Sequence, residues 1–192
     1  MAIEQDVSLL AKGLGILPGL VARPALVVVC GLPGAGKSHF SRLLAGRVPM
    51  AVLETDVLRR RLFHRPTYSQ KESHRLFQVC HLLVRHLLQQ GIRVLFDATN
   101  LREQHREELY RIAEETGARL VLVWLEVPEE VVQSRLEKRA QGGAPEDHSE
   151  ADWQVYQKMR WEMEPIQRPH LVVDTSGDIR PALARVVEEV LD

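Results

Sequence analysis

The residues best suited to chemistry form one short run in which three glycines precede a lysine and a serine. Residues 31–38, GLPGAGKS, fit the P-loop pattern GxxxxGK[ST] at every fixed position. The backbone amides of such a run wrap a polyphosphate, the lysine reaches its β- and γ-phosphates, and the serine hydroxyl ligates Mg²⁺. The apolar run 25–30 before it and residues 39–46 after it predict the strand and the helix that this motif requires. We therefore expect ATP to be bound by Gly31, Gly34, Ala35, Gly36, Lys37, Ser38 and His39, with Lys37 catalytic.

Two aspartates follow predicted strands. Asp56 comes after the apolar run 50–53 and before a helical run, 57–63, while Asp97 comes directly after the apolar run 92–96. Ligands bind at the carboxyl edge of open α/β sheets, so either side chain could serve a site there. A hydrophobic strand that ends in aspartate is also the Walker B arrangement, in which the carboxylate meets Mg²⁺ or its water shell. Alternatively, each aspartate could cap the helix that follows it.

Two arginines precede a glycine-rich loop in the last third of the chain. Arg135 and Arg139 lie one turn apart on a predicted helix, 129–141, which is followed by the loop 141–145 and a polar helix, 147–163. This arrangement predicts a mobile lid over phosphates at about residues 135–160. The alternative is two surface arginines beside a disordered loop.

The rest of the chain alternates strands with helices. Helices are predicted at 6–12, 70–90, 101–116 and 179–191, and strands at 119–125 and 170–173. This alternation indicates a parallel sheet with helices on both faces. We expect an N-terminal packing segment, residues 1–23, and a single domain, residues 24–192. His74, His81 and His86 are interpreted as surface or packing residues, because no pair has the i, i+4 spacing of a zinc site.

The composition is that of an ordinary globular protein. Apolar residues make up 45% and charged residues 27%, and the net charge of -1 provides no general attraction to nucleic acid or membranes. Cys30 and Cys80 lie in apolar surroundings, so we expect buried free thiols in a reducing compartment. The first residues are not basic, and the apolar stretch 14–21 is short and interrupted by Gly and Pro. We therefore expect no signal peptide, no membrane span and a cytoplasmic location.

Together these motifs resemble the kinase module of polynucleotide 5′-hydroxyl kinases and the AAA_33-type group of small P-loop kinases. The likeness spans about residues 25–176 and is carried by the P-loop, Asp56-x-x-Arg59, the segment 97–101 and Arg135-x-x-x-Arg139. It implies a three-layer α/β/α P-loop fold with five parallel strands in the order 2-3-1-4-5. The roles that it implies are a general base at Asp56, acceptor binding by Arg59 and Asn100, a water-mediated metal contact at Asp97, lid arginines at Arg139 and Arg135, and adenine contact near Thr175.

The expected function is ATP- and Mg²⁺-dependent transfer of the γ-phosphate to an acceptor hydroxyl. A polynucleotide or nucleotide 5′-hydroxyl is the first choice, since Asp56 could meet the hydroxyl while Arg59 meets a phosphate of the same nucleotide. The basic residues that follow, Arg60 and Arg61, could contact further phosphates of a nucleic-acid strand. Only Phe63 and Tyr68 nearby could provide rings for base stacking. We expect no phosphatase domain, and therefore do not expect a bifunctional end-healing enzyme. The alternatives are a small-metabolite, antibiotic or sugar-nucleotide kinase, an NTPase or nucleotide switch without an acceptor, and a nucleotide-binding module without chemistry.

Overall fold

A five-stranded sheet forms the centre of the protein. The computed structural model describes residues 2–141 and 151–192. The strands are β1 (Ala25–Cys30), β2 (Ala51–Glu54), β3 (Val94–Asp97), β4 (Arg119–Glu126) and β5 (Leu171–Asp174). Their order is β2-β3-β1-β4-β5, and each neighbouring pair is parallel. The predicted strand number and order are therefore confirmed.

Helices cover both faces of this sheet. In chain order they are α1 (Ala2–Lys12), α2 (Lys37–Ala45), α3 (Thr55–Leu62), α4 (Gln70–Gln89), α5 (Glu103–Thr116), α6 (Glu129–Ala140), α7 (Trp153–Trp161) and α8 (Arg180–Leu191). Most bounds lie within two residues of those predicted, but α1 begins four residues earlier than expected. The helix predicted at 147–163 is shorter, because the Asp152 side chain accepts a hydrogen bond from the Val155 amide and caps α7. Residues 142–150, which include its predicted start and most of the expected lid loop, lie outside the described residues.

The sheet separates two apolar cores. Every residue of β1 is buried, and its side chains alternate between the two faces. Leu26, Val28 and Cys30 pack against α1, α4 and α5, whereas Val27 and Val29 pack against α2 and α8. Cys30 and Cys80 are both buried free thiols, as expected. A strand buried on both faces is typical of the centre of a parallel sheet, and here it fixes the position of the loop that follows.

The N-terminal helix packs against the domain. Val7 and Leu10 of α1 are buried in the core that contains α4, and Asp6 forms an ion pair with Arg75 of α4 at 2.6 Å. The Arg61 guanidinium of α3 donates to the carbonyl of Gly13, just after α1. In the part of the chain that the structure describes, no helix is long and apolar enough to cross a membrane.

Candidate active site

The carboxyl ends of the strands open onto one large cleft. Its volume is about 1540 Å³, and it is bordered by the P-loop, the ends of β2 and β3, and faces of α4, α5 and α7. The predicted site residues that line it are Gly34, Gly36, Lys37, Ser38, His39, Asp56, Arg59, Asp97 and Arg139. Parallel strands place their carboxyl ends at one edge, which is why residues far apart in the chain meet here.

The P-loop wraps tightly at the end of β1. Gly34 and Gly36 have φ angles of +79° and +84°, a region that L side chains rarely adopt. A Cβ at Gly34 would also approach Val132 of α6 to 2.9 Å. Helix α2 begins at Lys37, so its N-terminus faces the cleft and is suited to an anion. Of the predicted P-loop residues, Gly31 and Ala35 do not line the cleft, and Ala35 is buried.

Lys37 and Ser38 contact groups at the base of the cleft. The Lys37 ammonium donates to the Leu32 carbonyl at 3.2 Å, and burial lowers its pKa although Asp97 and Asp56 act against that shift. The Ser38 hydroxyl donates to Oε1 of Glu54 at 3.0 Å. Glu54 ends β2 and is paired in register with Asp97 on β3. The sequence interpretation did not single out Glu54, which is the carboxylate that holds the predicted metal-ligand serine.

Asp97 is buried at the end of β3, and both its carboxylate and its backbone carbonyl accept hydrogen bonds. Its Oδ2 accepts a hydrogen bond from Ser41 at 3.0 Å, and its carbonyl accepts one from Thr55 at 3.2 Å. Burial raises the pKa of its carboxyl to about 6; Lys37 opposes this rise and Glu54 adds to it. The alternative that Asp97 caps the next helix is wrong, because the N-cap position of α5 is Arg102.

Asp56 lies in the first turn of α3 and faces the cleft. The N-cap of α3 is Glu54, so the alternative that Asp56 caps this helix is also wrong. Burial raises the pKa of its carboxyl, while Lys37, Arg59, Arg60 and Arg139 lower it. Asp56 therefore lies within the electrostatic reach of the P-loop lysine and of Arg139, one of the two predicted lid arginines.

The donor set at the end of β2 and β3 fits Mg²⁺. It consists of hydroxyl and carboxylate oxygens from Ser38, Asp97 and Glu54, the ligand type that this hard cation prefers. Across residues 2–141 and 151–192, no group of three or more His, Cys, Asp or Glu side chains could hold a metal by itself. A bound Mg²⁺ would therefore take its other ligands from water and phosphate oxygens, as it commonly does in nucleotide sites.

Arg59 is already paired within the protein. Its guanidinium is buried, contacts the Glu72 carboxylate at 2.5 Å and the Ser73 hydroxyl at 3.3 Å, and lies 4.9 Å from the centre of the Tyr68 ring. Burial opposes ionisation of Glu72, but hydrogen bonds from Thr67 and Arg59 lower its pKa to about 2. Arg59 was expected to bind a phosphate of the acceptor. In the structure its guanidinium is instead paired with the Glu72 carboxylate of α4.

Arg135 and Thr175 donate hydrogen bonds to backbone carbonyls of the P-loop from outside the cleft. Arg135 donates to the carbonyl of Gly34 at 3.0 Å and to the carbonyl of Thr175 at 2.7 Å. The Thr175 hydroxyl donates to the carbonyl of Ala35 at 2.8 Å. Neither residue lines the cleft. The Arg135 guanidinium and the Thr175 hydroxyl thus position the P-loop backbone, while the catalytic role of Arg135 and the adenine contact near Thr175 stay predictions.

Asn100 is placed in the core. Its side chain is 1% exposed and donates to the Val29 carbonyl at 3.2 Å, and its backbone has a φ of +47°. The fully buried Arg106 holds the Asn100 carbonyl at 2.6 Å and also donates to the carbonyls of Glu164 and Pro165. Asn100, predicted to bind the acceptor, therefore does not line the cleft, and its contacts shape the loop after β3.

The wall of the cleft beyond Asp56 contains residues that the sequence interpretation assigned to surface or packing, or did not discuss. His74, Phe77 and His81 of α4 line it, together with His105 of α5. Three- and four-residue spacing along α4 could have indicated a shared face. The sequence could not show that this face packs beside α5 and that both helices line the same cleft.

Comparison with known proteins identifies the family. A family model described as "AAA domain" (AAA_33) matches residues 26–166, which is most of the chain. The chain belongs to the AAA_33 family. This assignment agrees with the P-loop and with the strand order.

Curated relatives and solved structures extend this likeness. The chain is 26% identical over 121 residues to L-seryl-tRNA(Sec) kinase of Methanococcus maripaludis, covering 60% of this chain and 46% of that protein. It is 32% identical over 113 residues to adenylyl-sulfate kinase of Myxococcus xanthus, covering 55% and 59%. The chain thus spans about half the length of these relatives. The Mycobacterium tuberculosis APS kinase in complex with AMPPNP and APS has the same fold, with a TM-score of 0.65, 21% identity, and coverage of 88% of this chain and 99% of that one.

Proposed function

We propose that this protein is an ATP- and Mg²⁺-dependent phosphotransferase that moves the γ-phosphate to an acceptor hydroxyl. The observation that carries this function is that Lys37, Asp56 and Arg139 line one cleft that continues well past the P-loop. A P-loop that only held a nucleotide and its cation would need no second carboxylate beside the metal-facing Asp97 and no volume beyond that of the nucleotide itself. The relatives named as kinases support the same reaction type.

Each side chain has a distinct role in this proposal. The P-loop amides and Lys37 hold the β- and γ-phosphates, and Arg139 faces charge that develops on the phosphoryl group during transfer. Asp56 accepts the proton from the acceptor hydroxyl. Burial favours its protonated form, whereas the neighbouring cations, Lys37 first among them, keep its carboxylate available as a base.

Ser38 and Asp97 would hold Mg²⁺, with Asp97 acting through water and Glu54 orienting the Ser38 hydroxyl. When bound, the ion neutralises phosphate charge. Because Asp97 is already fixed by Ser41 and Thr55, its carboxylate is in position before any ligand arrives. Such fixed orientation is what phosphoryl transfer requires of the protein.

A polynucleotide or nucleotide 5′-hydroxyl is the acceptor that we propose. The names of both curated relatives denote acceptors that contain a nucleotide, one of them a tRNA. The basic residues after Asp56 are less available to bind a long nucleic-acid strand than the sequence predicted. Arg59 is paired with Glu72, and Arg61 contacts Gly13. The favoured contact is therefore with the terminal nucleotide rather than with a long phosphate backbone.

The test is transfer of label from γ-labelled ATP to a short 5′-hydroxyl oligonucleotide, in DNA and RNA forms, with the 5′-phosphorylated strand as the control. Labelling of the 5′-hydroxyl strand alone, lost in Asp56→Asn, supports the proposal. Labelling of a sugar, an antibiotic or another small metabolite instead would overturn the acceptor but keep the kinase. ATP hydrolysis at a kinase-like rate with no labelled acceptor would favour an NTPase.

A further inference from the structure

One wall of the cleft lies outside the phosphate and metal region described above. It is formed by α4 and α5, and we call it the α4–α5 wall; its ring-bearing residues are His74, Phe77, His81 and His105. Ser73 on the same face of α4 accepts a hydrogen bond from Arg59, which lies one turn after Asp56 on α3. Phe77 follows Ser73 by one helical turn, about 6 Å along the helix axis. The wall therefore starts beside the acceptor end of the cleft and leads away from it.

Three rings of this wall, those of Phe77, His81 and His105, form one contiguous aromatic surface. Phe77 stacks on His105 with ring centres 5.4 Å apart and an interplanar angle of 26°. His81 continues the cluster, with its ring centre 6.0 Å from that of Phe77. Phe77 is half-buried and packs edge-on against Phe96 of β3, whereas His105 is exposed to the cleft. Stacked rings fixed from behind and open in front provide a flat surface on which another planar ring can pack.

The imidazoles of His81 and His105 favour the neutral form near pH 7. Burial lowers the pKa of His81 to about 4, and burial also lowers the pKa of His105, with Arg102 contributing. The Nε2 atom of His81 is buried at the cleft without a hydrogen-bond partner among the described residues. Because this nitrogen is buried, His81 contributes its ring to the wall rather than a hydrogen bond to a ligand.

Three arginines that border this wall are held by carboxylates. Arg85 forms an ion pair with Glu115 at 2.9 Å, and Arg102 forms one with Glu162 at 3.0 Å. Arg59 is paired with Glu72. A surface of neutral rings with paired charges at its border favours a neutral planar group over an anion, because a bound phosphate would have to compete with these carboxylates.

We propose that the α4–α5 wall is a subsite for the nucleobase of the acceptor, built from the rings of Phe77, His105 and His81. This inference rests on the proposed function and narrows its acceptor to one that carries a heterocyclic base near the hydroxyl that is phosphorylated. Base–aromatic stacking tolerates any base, so the wall would recognise that a base is present rather than which base it is.

The test compares two acceptors that differ in one base. A short 5′-hydroxyl oligonucleotide and the same strand with an abasic 5′-terminal residue are phosphorylated by the wild-type protein, by His105→Ala and by Phe77→Leu. His86→Ala is the matched control, since His86 is an exposed histidine of α4 that does not line the cleft. Leucine at position 77 retains apolar contact with Phe96, so that variant should remain folded.

We expect His105→Ala and Phe77→Leu to raise the KM for the intact strand by about tenfold, within what loss of one stacked base costs. Their KM for ATP and their activity on the abasic strand should equal those of the wild type, and His86→Ala should change neither acceptor. Equal losses on both strands, or no loss on either, would overturn the subsite while leaving the kinase proposal intact.

A second measurement separates this inference from the proposed function. Calorimetric binding of adenosine and cytidine to the wild-type protein and to His105→Ala, both in the presence of AMPPNP, does not depend on turnover. Binding by the wild type that weakens in His105→Ala supports the subsite even if no oligonucleotide is phosphorylated. Absence of nucleoside binding to the wild type overturns the subsite even if an oligonucleotide is phosphorylated.

Discussion

Replacing Asp97 by asparagine should make the protein more stable at neutral pH. The carboxyl is 2% exposed, and its pKa is raised from 3.8 to about 6, chiefly by burial. Between these two values the folded protein binds a proton that the unfolded chain has lost, so stability falls as pH rises from about 4 to 6. Each pKa unit corresponds to about 1.4 kcal/mol, so two units cost the wild type about 3 kcal/mol above pH 6.

Asparagine removes this cost with little change in packing. It has nearly the same shape, and its side-chain oxygen can still accept the hydrogen bond from Ser41, which is 3.0 Å from Asp97 Oδ2 in the wild type. We expect the free energy of unfolding of Asp97→Asn to exceed that of the wild type by about 1–3 kcal/mol at pH 8. This difference should become smaller as the pH falls toward 4. Phosphoryl transfer should be lost in the same variant, because Asp97 is the proposed metal-facing carboxylate.

The assay is urea unfolding of both proteins at pH 8, 7, 6 and 5, with Asp178→Asn as the control. Asp178 is exposed, and the Arg180 side chain lowers its pKa to about 2, so removing its charge should give no stabilisation at pH 8. A variant at position 97 that is less stable than the wild type at pH 8, or a gap of equal size at pH 5 and pH 8, would refute the reasoning.

Four further variants test the proposed roles in the cleft. Lys37→Ala should abolish transfer and weaken AMPPNP binding measured by calorimetry; wild-type turnover would contradict the kinase proposal. Asp56→Asn should lower kcat by about 10²–10⁴ with nearly unchanged ATP affinity, and a matched loss of ATP binding would place Asp56 on the metal instead. Arg139→Ala should lower kcat more than it raises the KM for ATP in steady-state kinetics, and the reverse pattern would indicate ground-state binding. Glu54→Gln should raise the Mg²⁺ concentration for half-maximal activity by about tenfold, whereas an unchanged Mg²⁺ titration would exclude an orienting role.

The fold could be predicted from the sequence because its signals are local. The buried strand before the P-loop, the glycine spacing and the alternation of apolar runs with amphipathic helices each lie within a short window. The resemblance to P-loop kinases supplied the strand order, and the structure confirms it. Asp56 and Asp97 were also found by local context, since each lies at or just after the end of an apolar run.

The partners of several site residues could not be predicted, because they are set by tertiary register. Glu54 lies beside Asp97 only once β2 and β3 align in parallel, 43 residues apart in the chain. Arg135 has the spacing of a lid arginine, but its hydrogen bonds go to Gly34 and to Thr175, 40 residues away. Asn100 follows a Walker B strand and would be expected to face the ligand, yet the buried Arg106 and the Val29 carbonyl hold it in the core.

Two groups of charged residues in the cleft differ in how well the protein itself compensates their charges. Arg59 and Glu72 form an ion pair that is stable within the protein. Hydrogen bonds to Glu72 outweigh the effect of burial, so its pKa falls to about 2. The group around the P-loop behaves in the opposite way, since burial raises the pKa of Asp56 and of Asp97 and lowers that of Lys37. Every one of these shifts favours the neutral form, so the protein alone does not fully compensate the charges that it has gathered there. Ionisable groups left in that condition in a cleft are typical of sites whose charges are matched by a ligand. In the proposed function, the phosphates of ATP would match the charge of Lys37, its Mg²⁺ would match that of Asp97, and the proton of the acceptor hydroxyl would neutralise Asp56.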